Sequence, residues 1–288
     1  MRFTYAESMC DPSHLLPLAR ACDESGWSSF VIPDSIAYPE HSDSKYPYTP
    51  DGDRSFLENK PFIDPFVLMA AMGAVTERLR FTTFVIKLPI RHPVLVAKQL
   101  ASVACLTGGR VGFGIGTSPW PDDFQITGID WKTRGRRMDE AITIIRGLLT
   151  GEYFEFHGRH FDFPSIKLCP VPAAPVPMLI GGHGEAALRR AATVGDGWMH
   201  GGGNEDLDEL LARLAELRRE AGTDKRPFEL HVISFDGYTI DGVRRLEDKG
   251  ITDVIVGFRN PYYDDDSISL QDKIDTLRRF ADDVIAKA

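Results

Sequence analysis

Cysteine and clusters of basic residues are both scarce in this sequence. The 288-residue chain has four cysteines, at positions 10, 22, 105 and 169, with no CxxC pair and no metal-ligand spacing. This pattern excludes a disulfide-stapled scaffold, and we expect free, reduced thiols. The net charge is −9 and no Lys/Arg cluster occurs. Because phosphate backbones and anionic lipids are bound by clustered cations, we expect neither a nucleic acid nor a membrane surface as partner.

Long apolar runs are also missing. The longest lies around residues 65–75 and is too short to span a bilayer. The chain begins in a strand pattern, without the apolar core of a signal peptide. We therefore predict a cytoplasmic protein.

Several catalytic motifs do not occur. The sequence has no HExxH, and no set of three histidines and no DxD pair at a predicted strand end, so it does not predict a catalytic metal. The GxSxG elbow and a cysteine in an electropositive turn are missing too. Glu7 and Asp34 both follow predicted strands, so a glycosidase carboxylate pair stays an alternative, although the sequence does not give their separation.

What the chain does contain is an alternation of strand and helix patterns. In the first unit, Asp11-Pro12 opens a helix that Gly26 closes. Strands are predicted at about 2–7, 28–33, 79–87, 109–118, 177–181, 197–200, 228–235 and 253–258. Eight βα units in a chain of this length favour an α/β protein with a (β/α)8 TIM barrel, as a single domain over residues 1–288, rather than a doubly wound sheet.

Two insertions interrupt this alternation. Residues 35–60 are rich in Pro, Asp, Ser and Tyr, and a loop of this length predicts a lid. Residues 151–176 contain a segment that alternates around Gly158, which predicts a hairpin.

The fourth strand leads into a glycine-rich turn that ends in two hydroxyls, Thr117 and Ser118. Backbone without Cβ atoms permits close approach of a ligand, and free N–H groups suit a phosphate or a flat polar ring. The run is neither a Walker A loop nor GxGxxG. A buried strand with a tight exit turn is the alternative interpretation.

A second glycine-rich turn, residues 181–184, runs straight into a helical pattern. A helix start presents unpaired N–H groups and a positive dipole end, so it suits an anion. Two such turns in one chain indicate a phosphorylated ligand.

The carboxyl ends of the predicted strands are where a barrel of this kind carries its chemistry. Lys87 ends the third strand, where it could form a Schiff base or pair with an acidic neighbour. The strand ends together are Glu7, Asp34-Ser35, Lys87, Gly114 to Ser118, Gly181 to His183, His200, Asp236 and Arg259.

Three motifs, in residues 79–93, 106–116 and 180–198, have a specific order and spacing. Together they resemble the luciferase-like monooxygenase superfamily, and within it the coenzyme F420-dependent oxidoreductases of actinobacteria. The resemblance implies a TIM barrel with insertions, a homodimer, and a site for coenzyme F420 or FMN at the carboxyl-terminal rim.

The resemblance also implies roles for individual residues. Phe84-Val85 occupies the position of a bulge with a non-proline cis peptide behind the central ring of the deazaflavin. Gly114 to Ser118 would line the ring or the ribityl chain, and the backbone at Gly181 to His183 would hold the phosphate. The implied cofactor-binding residues are Asp34, Phe84, Val85, Lys87, Gly114, Gly116, Thr117, Ser118, Gly181, Gly182 and His183.

One departure from the family concerns the catalytic residues. Several deazaflavin dehydrogenases have a histidine after the strand-two aspartate, whereas this chain has Ser35. We take Asp34, Ser35 and Glu7 as the catalytic candidates, with His200 and a tyrosine of the lid as alternatives.

The activity expected from the resemblance is hydride transfer between coenzyme F420 and a small organic substrate. The alternatives are an FMN-dependent luciferase-like monooxygenase, a non-catalytic flavin- or deazaflavin-binding protein, and a redox-free barrel enzyme, such as an aldolase, that uses Lys87.

Overall fold

The computed structural model describes residues 1–46, 49–202 and 206–288. Its strands are β1 (Arg2–Ala6), β2 (Ser29–Ile32), β3 (Arg80–Thr83), β4 (Ile86–Lys87), β5 (Val111–Gly116), β6 (Phe154–His157), β7 (Asp162–Ile166), β8 (Met178–Gly181), β9 (Gly197–His200), β10 (Glu229–Ile233) and β11 (Asp253–Val256). Its α-helices are α1 (Pro12–Glu24), α2 (Pro65–Gly73), α3 (Pro93–Leu106), α4 (Pro121–Ile126), α5 (Arg134–Leu149), α6 (Glu185–Val194), α7 (Leu207–Glu220), α8 (Ile240–Asp248) and α9 (Leu270–Asp283).

The parallel strands form a closed barrel. Their order is β3-β2-β1-β11-β10-β9-β8-β5, and β3 closes the ring by pairing with β5 through Phe81 and Val111. Strand β4 continues the course of β3 towards the carboxyl-terminal end of the barrel, and it pairs with β5 through Ile86 and Ile115. The barrel therefore has eight positions with helices around it, which confirms the predicted (β/α)8 TIM barrel.

The strands are apolar because both of their faces are covered. Every residue of β2, β5, β9 and β11 is buried, as expected for parallel strands between an interior and a helical layer. Helix α5 adds a single apolar face, with Met138, Ile142 and Ile145 buried. The helical periodicity in the sequence thus corresponds to packing against the barrel.

Helix ends follow local signals. The Asp11 side chain accepts a hydrogen bond from the Ser13 backbone N–H at the start of α1, and Ser269 caps α9 in the same way. After α1, Gly26 adopts a φ of +85°, a left-handed conformation that glycine adopts readily. The two ends of α1 agree with those predicted from the sequence.

The third strand and the insertions differ in detail from the sequence pattern. The predicted strand at 79–87 is two strands, β3 and β4, separated by Phe84-Val85. The predicted hairpin is present as antiparallel β6 and β7. The described part of the lid is irregular except for a short 3-10 turn at Ser55–Leu57, and Pro47 and Tyr48 lie outside the described residues.

Among the described residues, none of the helices combines the length and the apolar character that crossing a membrane requires.

Candidate active site

A bulge between β3 and β4 forms part of the floor of the barrel mouth. The Phe84–Val85 peptide bond is cis, as the family resemblance predicted, and both residues are half-buried. A Cβ atom placed on Gly116 would lie 2.8 Å from Val85 Cγ2, and one on Gly181 would lie 3.0 Å from Val85 Cγ1. The two glycines therefore leave the space that the Val85 side chain occupies.

At Gly114 a side chain is excluded by residues other than Val85. A Cβ atom there would lie 1.9 Å from the Thr83 carbonyl oxygen and 2.6 Å from Met199 Sδ. The Thr83 hydroxyl also donates to the Gly114 carbonyl oxygen at 2.7 Å. Packing inside the barrel thus explains this glycine without a ligand.

Asp34 ties the end of β2 to β4. Its side chain is 1% exposed, and Oδ1 accepts from Arg91 Nη2 at 2.8 Å. Its other oxygen, Oδ2, accepts from the Lys87 backbone N–H at 2.9 Å. Because both carboxylate oxygens are engaged, Asp34 fixes the backbone that follows the Phe84-Val85 bulge.

Lys87 begins a chain of polar contacts into the turn after β5. Its ammonium lies 2.9 Å from the Asp123 carboxylate, which is fully buried. The Ser118 hydroxyl donates to Asp123 Oδ2 at 2.6 Å and accepts from the Trp120 backbone N–H at 3.1 Å. Lys87 therefore pairs with an acidic neighbour, which is one of the two roles left open by the sequence.

Asp123 and Arg91 are site residues that sequence reasoning missed. Asp123 lies 36 residues after its partner Lys87, and Arg91 lies 57 residues after its partner Asp34. The available signal was the pair of acidic residues that begins the short helix α4, which the sequence analysis did not predict.

Glu7 belongs to a second, separate network at the ends of β1 and β11. Its side chain is 4% exposed and lies 3.0 Å from Arg259 Nη2 and 3.5 Å from Lys273 Nζ. The Tyr5 hydroxyl donates to Glu7 at 3.1 Å, and Lys273 also pairs with Asp266. Burial, with the nearby Glu7 carboxylate, raises the pKa of Tyr5 well above its ordinary value.

The glycosidase alternative requires a protonated acid beside an ionised carboxylate. Glu7 and Asp34 instead each accept a hydrogen bond from an arginine. Each carboxylate is therefore already held in an ion pair with an arginine, in a separate network, which does not favour the glycosidase alternative.

The turn after β8 contains the second glycine-rich motif. Gly182 has a φ of +120°, and its carbonyl oxygen accepts from Trp198 Nε1 at 2.9 Å. His183 Nε2 accepts from the Gly201 backbone N–H at 3.2 Å, and its ring stacks on His200 with centroids 4.6 Å apart. The His183 side chain thus makes contacts of its own, beside the backbone role expected from the sequence.

An acidic residue, Glu185, starts helix α6 beside this turn. Hydrogen bonds from Arg213 and Arg189 lower the pKa of Glu185 to about 2, although burial opposes this. The two arginines offset its negative charge, so an anion can still lie near the helix N-terminus.

Aromatic side chains from the lid and the loop after β11, together with Trp120 after β5, lie close together at the mouth. We call Tyr46, Phe56, Trp120 and Tyr262 the aromatic cover. The Phe56 and Tyr262 rings are 5.4 Å apart, and the Tyr46 and Trp120 rings are 5.9 Å apart. Lys60 and Asp265 join the same two loops by an ion pair of 2.8 Å.

The opposite end of the barrel holds a charged cluster. Glu229, His231 and Asp253 lie close enough together to share a metal ion. Arg80 and Arg2, however, lie 2.8 Å and 3.1 Å from Glu229, and Arg2 lies 2.7 Å from Asp253. The carboxylates are therefore already balanced by cations, and the cluster stabilises the base of the barrel.

Comparison with known proteins identifies the family. The model of the luciferase-like monooxygenase family matches residues 3–235. The chain belongs to this family. An uncharacterised protein of Mycobacterium tuberculosis is 62% identical over the full length of both chains. A relative from Nakamurella multipartita, named F420-dependent glucose-6-phosphate dehydrogenase, is 32% identical over 77% of this chain and 63% of its own length.

Solved structures of luciferase-like enzymes share the fold. The monooxygenase RslO1 from Streptomyces bottropensis has a TM-score of 0.78 and 18% identity, covering 100% of this chain and 99% of its own. The coenzyme F420-dependent tetrahydromethanopterin reductase from Methanopyrus kandleri has a TM-score of 0.74 and 13% identity, covering 99% of both chains. These structures show a shared fold, and the family model confirms the superfamily inferred from the three sequence motifs.

Seven of the site residues predicted from the sequence fall into three groups. Asp34 contacts Lys87, which is linked to Ser118 through Asp123. Val85 packs between Gly116 and Gly181, which brings the two glycine-rich motifs to one place. Glu7 lies in its own ion-pair network.

Proposed function

We propose that this protein is a coenzyme F420-dependent oxidoreductase that transfers a hydride between the deazaflavin and a small organic substrate. The observation that carries the proposal is the half-buried Phe84-Val85 bulge at the barrel mouth, with Gly116 and Gly181 on either side of Val85. Relatives named as F420-dependent enzymes support the choice of cofactor.

The residues at the mouth fit such a cofactor. Phe84 and Val85 offer an apolar surface for a flat ring. The turn at residues 181–184, at the start of α6, offers backbone N–H groups for a phosphate. When bound, the coenzyme supplies or accepts the hydride; the protein orients the ring, excludes water and provides a proton.

The stacked His183 and His200 are our proposed source of that proton. His200 ends β9 and is buried, and its Nδ1 accepts from the Gly202 backbone N–H at 3.3 Å. Histidine is the side chain that most often moves protons near neutral pH. Asp34 then acts on the reaction by holding the backbone at Lys87, because both of its oxygens are occupied. Ser35, which is half-buried beside Asp34, stays a catalytic candidate.

The charges at the mouth favour a neutral substrate. Apart from Arg54, which donates to the backbone carbonyl oxygens of Pro39 and Glu40, four cations there each lie against a carboxylate, and phosphate recognition depends on charge-assisted bonds from cations that are free to bind it. The pairs are Lys87 with Asp123, Arg91 with Asp34, Arg259 with Glu7, and Lys273 with Asp266. We therefore expect glucose 6-phosphate, the substrate in the name of the Nakamurella relative, to be a poor substrate here.

The test is a titration of purified protein with coenzyme F420 and, separately, with FMN, followed by tryptophan fluorescence. Tighter binding of coenzyme F420 supports the proposal. Reduced coenzyme F420 is then mixed with neutral enones and aldehydes, and its reoxidation is measured by visible absorbance. Preference for FMN would instead favour an FMN-dependent monooxygenase, and binding of neither would contradict both cofactor assignments.

A homodimer and a cytoplasmic location are further proposals, which rest on the family resemblance and on the sequence pattern. Light scattering during size-exclusion chromatography measures the first. A dimer has twice the 32.1 kDa mass of the chain.

A further inference from the structure

Trp120 has a buried N–H group for which the described residues offer no acceptor. The residue is 3% exposed, and within the part of the chain that the structure describes its Nε1 has no hydrogen-bond partner. The other two buried tryptophans differ: Trp27 donates to the Leu277 carbonyl oxygen at 3.3 Å, and Trp198 donates to the Gly182 carbonyl oxygen at 2.9 Å. Because buried indole N–H groups usually have a partner, this one requires an explanation.

Trp120 lies at the barrel mouth. It is not part of the main hydrophobic core of the protein. Its ring centroid lies 5.8 Å from Lys87 Nζ, 6.0 Å from the Arg54 guanidinium carbon and 5.9 Å from the Tyr46 ring. These neighbours belong to the end of β4 and to the lid, where we propose that the coenzyme and the substrate bind.

The backbone of Trp120 is held in place. Its N–H donates to Ser118 Oγ at 3.1 Å, and this hydroxyl donates onward to the buried Asp123. Helix α4 begins at Pro121, the next residue, which fixes the chain on the other side. A binding group is effective when its supporting contacts position it before the ligand arrives.

We infer that Trp120 Nε1–H donates a hydrogen bond to a carbonyl oxygen of a ligand in the barrel mouth, so that Trp120 is a positioning residue for that ligand. The inference rests on the proposed function, since it assigns the occupant of the same site. An uncharged acceptor fits, because Asp123 already balances the nearby Lys87 ammonium and the Arg54 guanidinium donates to the Pro39 carbonyl oxygen. The carbonyl oxygen belongs either to the ring of the cofactor or to the substrate.

The experiment follows the indole N–H resonances by NMR in the full-length protein with isotope-labelled tryptophan. The chain has four tryptophans, and the resonance missing from Trp120→Phe identifies Trp120. Coenzyme F420, FMN and, on the loaded protein, cyclohexenone are added in turn. We expect the Trp120 N–H resonance to move downfield with at least one of them, while that of Trp198, which already has an acceptor, moves less.

The outcomes separate the two sources of the carbonyl. A downfield shift with either cofactor assigns the bond to the ring, and a shift only after cyclohexenone assigns it to the substrate. In the first case Trp120→Phe should weaken cofactor binding about five- to tenfold, the ratio expected for one hydrogen bond. In the second case it should raise the KM for cyclohexenone by the same ratio and leave cofactor affinity unchanged.

Failure of this inference is distinguishable from failure of the proposed function. If coenzyme F420 does not bind but FMN binds and shifts the Trp120 resonance, the cofactor assignment is wrong and the role of Trp120 stands. If the resonance is unchanged by all three additions, the role of Trp120 is wrong, whichever cofactor binds by fluorescence.

Discussion

The Asp34 carboxylate accepts a hydrogen bond from the Lys87 backbone N–H at 2.9 Å, so the end of β2 holds the chain that leaves the Phe84-Val85 bulge. The same carboxylate pairs with Arg91 at 2.8 Å. One buried acidic residue thereby connects the end of β2, the bulge and the segment before α3. This connection gives the bulge a defined position under the proposed ring.

Asp34→Asn tests this positioning role. The amide can still accept from the Lys87 N–H, but it loses its charge and leaves Arg91 without a counterion. Breaking a partly buried ion pair in this way should lower the free energy of unfolding by about 2 to 4 kcal/mol. Urea unfolding measures the loss, and affinity for coenzyme F420 should fall with it because the bulge is less well held.

The matched control for Asp34→Asn is Asp282→Asn, a change at an exposed position. It should leave both stability and cofactor affinity unchanged. If Asp34→Asn retains full stability and affinity but loses turnover, Asp34 takes part in the chemistry and the positioning role is wrong.

Gly116→Ala tests the space beside the bulge. The added Cβ would lie 2.8 Å from Val85 Cγ2, a distance too short for two carbon atoms, so the Val85 side chain must move. We expect the folded variant to bind coenzyme F420 at least tenfold more weakly. A small displacement of a group in a preorganised site, here the Val85 side chain, can change binding by that factor or more. Fluorescence titration measures the affinity, and circular dichroism checks the fold.

Gly135→Ala in α5 is the control for this change. There the nearest atom to an added Cβ is Arg190 Nη2 at 3.7 Å, an ordinary contact. This variant should bind coenzyme F420 like the original protein. Equal affinities of Gly116→Ala and Gly135→Ala would show that the Val85 position is unimportant for the cofactor.

The contacts of Glu229 lead to a prediction of how the folding stability of the protein depends on pH. Burial raises the pKa of this carboxyl, but hydrogen bonds from His231 and Arg80 outweigh burial and lower it from 4.5 to about 2. The pKa of the Glu229 carboxyl is lower in the folded protein than in the unfolded protein. Its ionised form therefore stabilises the fold above pH 4.5. This contribution, up to about 3 kcal/mol, is lost as the pH falls towards 2.

Glu229→Gln should therefore be less stable than the original protein at neutral pH, and the difference should shrink as the pH falls below 4.5. Urea unfolding at a series of pH values gives the two curves. Glu152→Gln, at an exposed position, should show no such difference. A stability gap for Glu229→Gln that stays constant down to the lowest pH would contradict the ion-pair explanation.

The sequence predicts the barrel better than it predicts the contacts of the site. The alternation of strand and helix patterns can be recognised in the sequence, as can helix-end signals such as Asp11 and Gly26. Each of these features depends only on residues a few positions apart. The interruption of the third strand is not visible in the strand pattern at 79–87, and only the family resemblance indicated the bulge. The Lys87–Asp123 pair joins residues 36 positions apart, and its existence depends on how β4 and α4 meet.

His200 provides the last prediction, which separates cofactor binding from proton transfer. The His200 ring stacks on His183 at 4.6 Å, so His200→Phe keeps an aromatic ring in this position and removes both ring nitrogens. If His200 supplies the proton, the rate of hydride transfer to an enone should fall by about 100-fold or more, since general acid catalysis typically contributes that much. Affinity for coenzyme F420 should change less than about twofold, because a ring still packs there.

Stopped-flow reoxidation of the reduced coenzyme measures the rate, and Ser35→Ala serves as the comparison at the other candidate position. If Ser35→Ala loses the rate and His200→Phe keeps it, the proton comes from the end of β2 and not from the histidine pair. If both variants keep the rate, neither side chain supplies it, and a tyrosine of the lid becomes the next residue to replace. The two variants thus test each side of the barrel mouth separately, with cofactor affinity as the common check on an intact site.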